Sequence, residues 1–166
     1  MRVFGIDPGS HFCGWGVVEE NGRGGLRHVE SGVIRLGAKE PLEQRLVTLF
    51  ERLTEFLKQQ QPSIVAVEDV FHHHNARAAL VLGHARGVAL LAAARAGVTV
   101  RAFSPATIKQ SVTGSGRAEK AQVGRMVSML LGVRDFERAD VSDALAAAIC
   151  GALRPAELPQ ILRSVR

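Results

Sequence analysis

The sequence predicts an α/β domain built on a mixed five-stranded sheet, three antiparallel strands followed by two parallel ones, flanked by helices. Three observations carry that prediction. Apolar runs at 1–6, 13–18 and 26–36 are separated by turn-length gaps, which is the spacing of consecutive antiparallel strands. Between 42 and 57, Leu42, Leu46, Leu49, Phe50, Leu53 and Leu57 recur at helical spacing, so one face of a helix is apolar. The run Ile64, Val65, Ala66, Val67 is then continuous, bounded by Pro62 and Glu68, as in a strand buried on both faces and parallel to the first.

Each element follows in order. The first strand ends at Asp7, because Pro8 cannot donate to a sheet ladder and Gly9 tolerates a turn, so the carboxylate is presented at the strand tip. A glycine-rich turn over 19–25 leads to the third strand, and 37–40 is a loop. Pro41 occupies the expected first position of the first helix. Beyond Glu68, a helix is expected over 75–96, a strand over 98–103 and a short turn of helix from Pro105. The stretch 114–116 reads as flexible, 118–131 as a helix stopped by Gly132, and 139–153 as the last helix. One domain over 1–154 and a tail over 155–166 result.

Composition sets outer limits. A chain of 166 residues with 46% apolar content forms one domain with a full core. No run is read as long enough to cross a membrane, and the N-terminus lacks the basic-then-apolar pattern of a secretory signal. Cys13 and Cys150 lie in separate apolar contexts and read as buried free thiols in a reducing cytoplasm. The charge of +5 and a pI near 10 point to a polyanionic partner.

The chemistry is carried by acids. Parallel strands joined by a helical crossover end at one sheet edge, which makes Asp7 and Glu68 neighbours. Asp140 and Asp143 stand three apart on the last helix, so both can face one place while Leu145 and Ile149 pack inward. Either aspartate alone is equally well explained by the preference for acids at helix starts. Together the four make a hard-oxygen set suited to Mg²⁺ or Mn²⁺ and unlike a zinc site, and a pair of such ions is equipped for phosphodiester cleavage.

Taken in order, Gly5 to Ser10, Gly14 to Val17, Val67 to Phe71 with Asn75, Gly83 to Val88, Ile108 to Gly116, Ala118 to Lys120 and Ala139 to Ala146 resemble the bacterial RuvC Holliday-junction resolvases. The resemblance spans nearly the whole chain. It implies a ribonuclease H-like nuclease domain over 1–154 and a homodimer that makes paired, Mg²⁺-dependent incisions across four-way junction DNA, leaving 5′ phosphate and 3′ hydroxyl ends. Two Mg²⁺ ions per subunit are implied, with Mn²⁺ as a substitute, and Asp7, Glu68, Asp140 and Asp143 as both metal ligands and catalytic acids. Lys109 and Lys120 match basic positions of the family, one near the scissile phosphate and one on a flanking strand. Cooperation with the RuvA and RuvB branch-migration proteins is a further implication.

Other residues are assigned as DNA contacts on weaker grounds. Phe71 is either a core plug or an exposed ring, and the resemblance favours a ring that stacks on an unpaired base. Arg77 and Arg117, with Arg86, are candidates for phosphate contacts. His72, His73 and His74 replace the small or basic residues usual in the family and are read as lining a DNA-facing loop. Two rivals are weighed against this reading. An actin-like phosphate loop would need a second nucleotide-binding half that the chain lacks. A junction-binding module without cleavage would not need four acids facing DNA.

Overall fold

The computed structural model describes residues 1–22, 24–69, 75–134 and 136–154. Five strands form one sheet: β1 (Arg2–Asp7), β2 (Phe12–Glu20), β3 (Leu26–Arg35), β4 (Ile64–Glu68) and β5 (Thr99–Phe103), in spatial order β3-β2-β1-β4-β5. β1 pairs antiparallel with β2 and parallel with β4, and β4 pairs parallel with β5. The predicted mixed sheet is therefore present, with the three antiparallel strands on one side and the parallel additions on the other. β1, at its centre, has four fully buried residues between two half-buried ends.

Five helices cover the sheet: α1 (Leu42–Gln60), α2 (Ala76–Arg95), α3 (Pro105–Thr113), α4 (Lys120–Leu131) and α5 (Ala139–Leu153). α1 and α2 bury Leu49, Leu53, Leu57, Ala85 and Ala89 against Phe4, Ile6 and Trp15. α3, α4 and α5 close the opposite face around Val3, Val127, Leu145 and Ile149. Cys13 and Cys150 are buried free thiols on these two sides of the sheet.

Several boundaries differ from expectation for local reasons. Pro41 is the N-cap of α1 and not its first helical residue: its ψ of 153° is extended while its carbonyl accepts the first helical bond from Arg45. α2 begins one residue after Asn75, whose side chain accepts from the Arg77 and Ala78 amides. The expected short turn at Pro105 is a nine-residue helix, capped by Ser104 and anchored by Ile108 and Val112. With only two buried positions, its apolar period is too brief to reveal its length. α2 also corrects the expectation that no run could span a membrane, since this twenty-residue helix meets that criterion by length and composition. Its Ala85, Ala89, Ala92 and Ala93 are instead buried in the protein, and Arg86 binds Asp69. The tail over 155–166 lies outside the described residues.

α5 is the central helix. From Val141 to Ala152 every residue except Asp143 is buried, as expected of a helix apolar on all sides. It reaches the sheet by lying almost directly on backbone. A Cβ on Gly5 would stand 1.9 Å from the Ala144 carbonyl oxygen, and one on Gly14 would stand 2.0 Å from that of Asp140. Gly16 likewise leaves room for Leu145. No L side chain other than hydrogen fits at the first two places without moving the helix.

Gly14→Ala is therefore expected to lift the start of α5 and destabilise the protein by roughly 1–3 kcal/mol or more, the usual range for an overpacked core. Gly124→Ala on α4 has only the Ser142 hydroxyl within 4 Å of its new methyl, at 3.9 Å, and is expected to gain up to about 1 kcal/mol from helix propensity. Urea midpoints that shift in the same direction for both would contradict this account of the helix seat.

Candidate active site

The parallel pairing of β1 with β4 sets Ile6 opposite Val67, so Asp7 and Glu68 leave adjacent strands at the same edge. Asp7 is also the register partner of Gly14 in β2. Because the Asp140 backbone occupies the space above Gly14, the first turn of α5 is held beside Asp7. Asp143 follows one turn on, the single half-buried side chain in an otherwise buried stretch. Carboxylates from two strand tips and one helical turn thus face one region of the sheet edge.

Their mutual influence falls most heavily on Asp7. Its carboxyl is pushed up to about 7, first by burial and then by the charges of Asp143, Glu68 and Asp140, with Lys120 acting in the opposite sense. Glu68 is raised by burial and by Asp143, and lowered in turn by Lys120 and Lys109. Burial and the charges of Asp7 and Asp140 push the Cys13 thiol upward, which keeps it neutral and unreactive.

The acids do not stand as a closed cage. Among the described residues no three His, Cys, Asp or Glu side chains are close enough to hold a metal ion as they lie. Two of the acids are engaged by cations instead. Lys120 Nζ lies 2.5 Å from Asp143 Oδ2, and this contact raises the lysine's own proton affinity. Arg138 Nε donates to Asp140 Oδ2 at 2.8 Å. The donor set still fits a hard divalent ion: four carboxylates act on one region, and burial together with their mutual repulsion raises the proton affinity of Asp7, which a bound cation would lower.

Beside the acids opens a cleft of about 280 Å³, lined by Glu68, Asp143, Lys109 and Lys120 with Pro105, Ile108, Val123 and Ala146. Both predicted lysines therefore border the acidic site. Lys109 comes from α3 and Lys120 from the first position of α4. Arg77 is exposed near the start of α2, and Arg117 is exposed in the turn before α4. Arg86 is drawn to Asp69 at 3.1 Å, and the Asp69 amide donates to the Phe103 carbonyl oxygen at 2.8 Å, which anchors the backbone just past Glu68. Phe71, His72, His73 and His74 lie outside the described residues.

Two arginines escaped the sequence reading. Arg138 sits against Asp140 and also stacks its guanidinium 3.8 Å from the centre of the Phe12 ring. Arg45 of α1 donates to the Ser10 carbonyl oxygen at 2.6 Å and holds the loop that follows Asp7. Arginines are too common in this chain to stand out, though a basic residue two positions before Asp140 is a signal that could have been followed.

Comparison with known proteins shows the family. The family model for crossover junction endodeoxyribonuclease RuvC matches residues 3–151. A crossover junction endodeoxyribonuclease RuvC of Myxococcus xanthus (strain DK1622) is 54% identical over 152 residues, covering 90% of this chain and 79% of the relative. Another from Geobacter metallireducens (strain ATCC 53774 / DSM 7210 / GS-15) is 45% identical over 166 residues and covers both chains fully. The structure of T. thermophilus RuvC in complex with a Holliday junction substrate superposes with a TM-score of 0.85 at 33% identity, covering 93% of this chain and 95% of that one. A sheet of this order, acids converging at one edge, and matches of this extent place the chain in the RuvC family of crossover junction endodeoxyribonucleases, the Holliday-junction resolvases.

Proposed function

We propose that the protein cuts four-way junction DNA with Asp7, Glu68, Asp140 and Asp143 holding two Mg²⁺ ions, or Mn²⁺ in their place, in each subunit. The observation that carries this reading is geometric: Asp7 and Glu68 end adjacent parallel strands, and the Asp140 backbone seated on Gly14 sets the first turn of α5 beside them. When bound, such ions supply Lewis acidity for in-line attack of water on the phosphorus and for departure of the 3′ oxygen, giving a 5′ phosphate and a 3′ hydroxyl. Asp7, on which the other three acids act, would be a ligand common to the set. Lys120 and Lys109 border the same cleft and hold the scissile phosphate and the flanking strand. Arg77 and Arg117 stand outside it, exposed, as further phosphate contacts, and Phe71 keeps the role of stacking on an unpaired base.

A second copy of the chain completes the reaction. The outward face of α2 carries Leu80, 62% exposed, and Leu91, 52% exposed, with Gly83 and Gly87 between them and open space where their Cβ atoms would point. Such a face admits close helix approach, and a two-fold dimer brings two sites to a junction of matching symmetry. RuvA and RuvB are the partners that the resemblance implies, and a cytoplasmic location suits that work.

Three experiments test these assignments. Asp7→Asn, Glu68→Gln and Asp143→Asn should each abolish cleavage of a synthetic junction in Mg²⁺ while leaving junction binding near the parent value, since affinity comes mainly from basic contacts. A variant that cuts at close to the parent rate loses its place in the set.

The second concerns pH. Between the ordinary value of 3.8 and the folded value of about 7, the native state holds a proton on Asp7 that the unfolded chain has released. Unfolding then releases protons, so this group makes the metal-free protein less stable as pH rises through that window. Millimolar Mg²⁺ competes with the proton and should raise the melting temperature by several degrees near pH 8 and much less near pH 5. Asp7→Asn should flatten both trends; an equal Mg²⁺ effect at the two pH values would count against an ion at Asp7.

The third concerns the dimer. Gly87→Glu adds a side chain into open space on the monomer and removes a poor helix former, so the fold should persist. Sedimentation should then show a monomer whose junction products are unpaired nicks, and a dimer that survives the substitution would move the two-fold contact elsewhere.

A further inference from the structure

The rim of the site on the Asp140 side carries a charge cluster that the proposed reaction does not use. Phe12, at the first position of β2, has the Arg138 guanidinium 3.8 Å from its ring centre and that of Arg35 at 5.9 Å. Arg35 is ion-paired with Glu137, and Arg138 is ion-paired with Asp140 at 2.8 Å. Two arginines and two acids balance to zero. The balance depends on Asp140 remaining free, however, and that residue belongs to the proposed metal set. A carboxylate that ligates a divalent ion has its charge neutralised by the ion and its oxygens turned toward it, which leaves one surplus positive charge on Arg138.

That surplus is well placed. The Arg138 side chain is 40% exposed, and the Phe12 face supports the guanidinium independently of Asp140, because the ring attracts the cation through its quadrupole. A planar fork of donors at the mouth of a phosphodiesterase site matches the two oxygens of a backbone phosphate. The lysines of the cleft already offer positive charge beside Glu68 and Asp143. Arg138 would add a cation beside Asp140.

We propose that Arg138 is an exchangeable counter-ion, paired with Asp140 while that carboxylate is free and passed to a DNA backbone phosphate when a divalent ion takes Asp140, with Phe12 as the platform for both positions. The inference rests on the metal reading given above. It makes metal loading and DNA grip mutually dependent: each ion bound at Asp140 frees one phosphate contact, and a phosphate that holds Arg138 removes its competition for the ion. Such coupling between two ligands must be reciprocal.

The test uses the full chain and the variants Arg138→Gln and Arg138→Lys, each first confirmed as folded by thermal unfolding in EDTA. Mn²⁺ binding is measured by calorimetry without DNA, and junction affinity is measured against salt concentration in EDTA and with Ca²⁺ in place of Mg²⁺. Exposed ion pairs contribute modestly, so Arg138→Gln should bind Mn²⁺ about two- to five-fold more tightly than the parent. Arg138→Lys, which keeps the charge, should stay near the parent value. With Ca²⁺ the salt dependence of junction binding by Arg138→Gln should fall by about one phosphate contact per subunit, while in EDTA it should match the parent. Identical Mn²⁺ affinity in the parent and Arg138→Gln overturns the exchange and leaves the metal reading intact. A salt slope that falls equally in EDTA and in Ca²⁺ overturns it as well, since Arg138 would then contact phosphate without release from Asp140. A parent protein that binds no Mn²⁺ overturns the exchange and the metal reading together.

Discussion

The seating of α5 on the backbone of β1 and β2 is the constraint on which the rest of the molecule depends. Helices normally rest on sheets through side chains, about 10 Å from the backbone plane, and that distance would carry Asp140 and Asp143 away from the strand tips. Gly5 and Gly14 remove the spacers, and the helix drops until its carbonyl oxygens occupy the space their Cβ atoms would fill. The contact gains apolar burial along nearly the whole of α5. It also converts a packing decision into a chemical one, because the register of Asp7 opposite Gly14 fixes which turn of α5 arrives beside Asp7.

Bringing four acids together has an electrostatic cost, and the protein meets it locally. Protonation of Asp7 relieves part of the repulsion, Lys120 neutralises Asp143, and Arg138 neutralises Asp140. All three devices are reversible. A buried, permanently satisfied ion pair would give a more rigid site but would exclude a cation, whereas partly exposed lysine and arginine pairs of this kind contribute little net stability and yield readily.

Most of the frame was legible in the sequence because it rests on strong local signals. The strand endings at Asp7 and Glu68, the crossover helix between them and the apolar run of α5 each follow from period, proline or glycine, and the sheet order agrees with them. The nearness of Asp7 and Glu68 could be foreseen because parallel strands joined by a crossover end at one edge, and that of Asp140 and Asp143 because they stand three apart on one helix. The surroundings of the acids could not. Arg138 and Phe12 are more than a hundred positions apart, and Arg45 reaches the loop after Asp7 from another element, so no periodicity links them. The length of α3 was hidden for a different reason, since a helix fixed by a serine cap and two buried residues has almost no pattern to read. Pro41 shows the limit of a positional preference: the same fixed φ suits the first helical residue and the residue before it, and only ψ separates them.

Arginine is placed differently from lysine around this site, and the difference has a physical basis. The two lysines border the cleft with Glu68 and Asp143, where a compact ammonium can turn among several oxygens as ions and phosphate come and go. Two arginines serve as struts: Arg45 fixes the turn after Asp7, and Arg86 fixes the chain after Glu68 through Asp69. Both strand tips that present acids are therefore held from outside by a planar, permanently charged group whose several donors are set in one geometry. A site that must keep mutually repelling carboxylates in place before any ion arrives needs that rigidity behind the acids and needs mobility where the substrate passes, and Arg45 and Arg86 serve the first need while the lysines and the more exposed Arg138 serve the second.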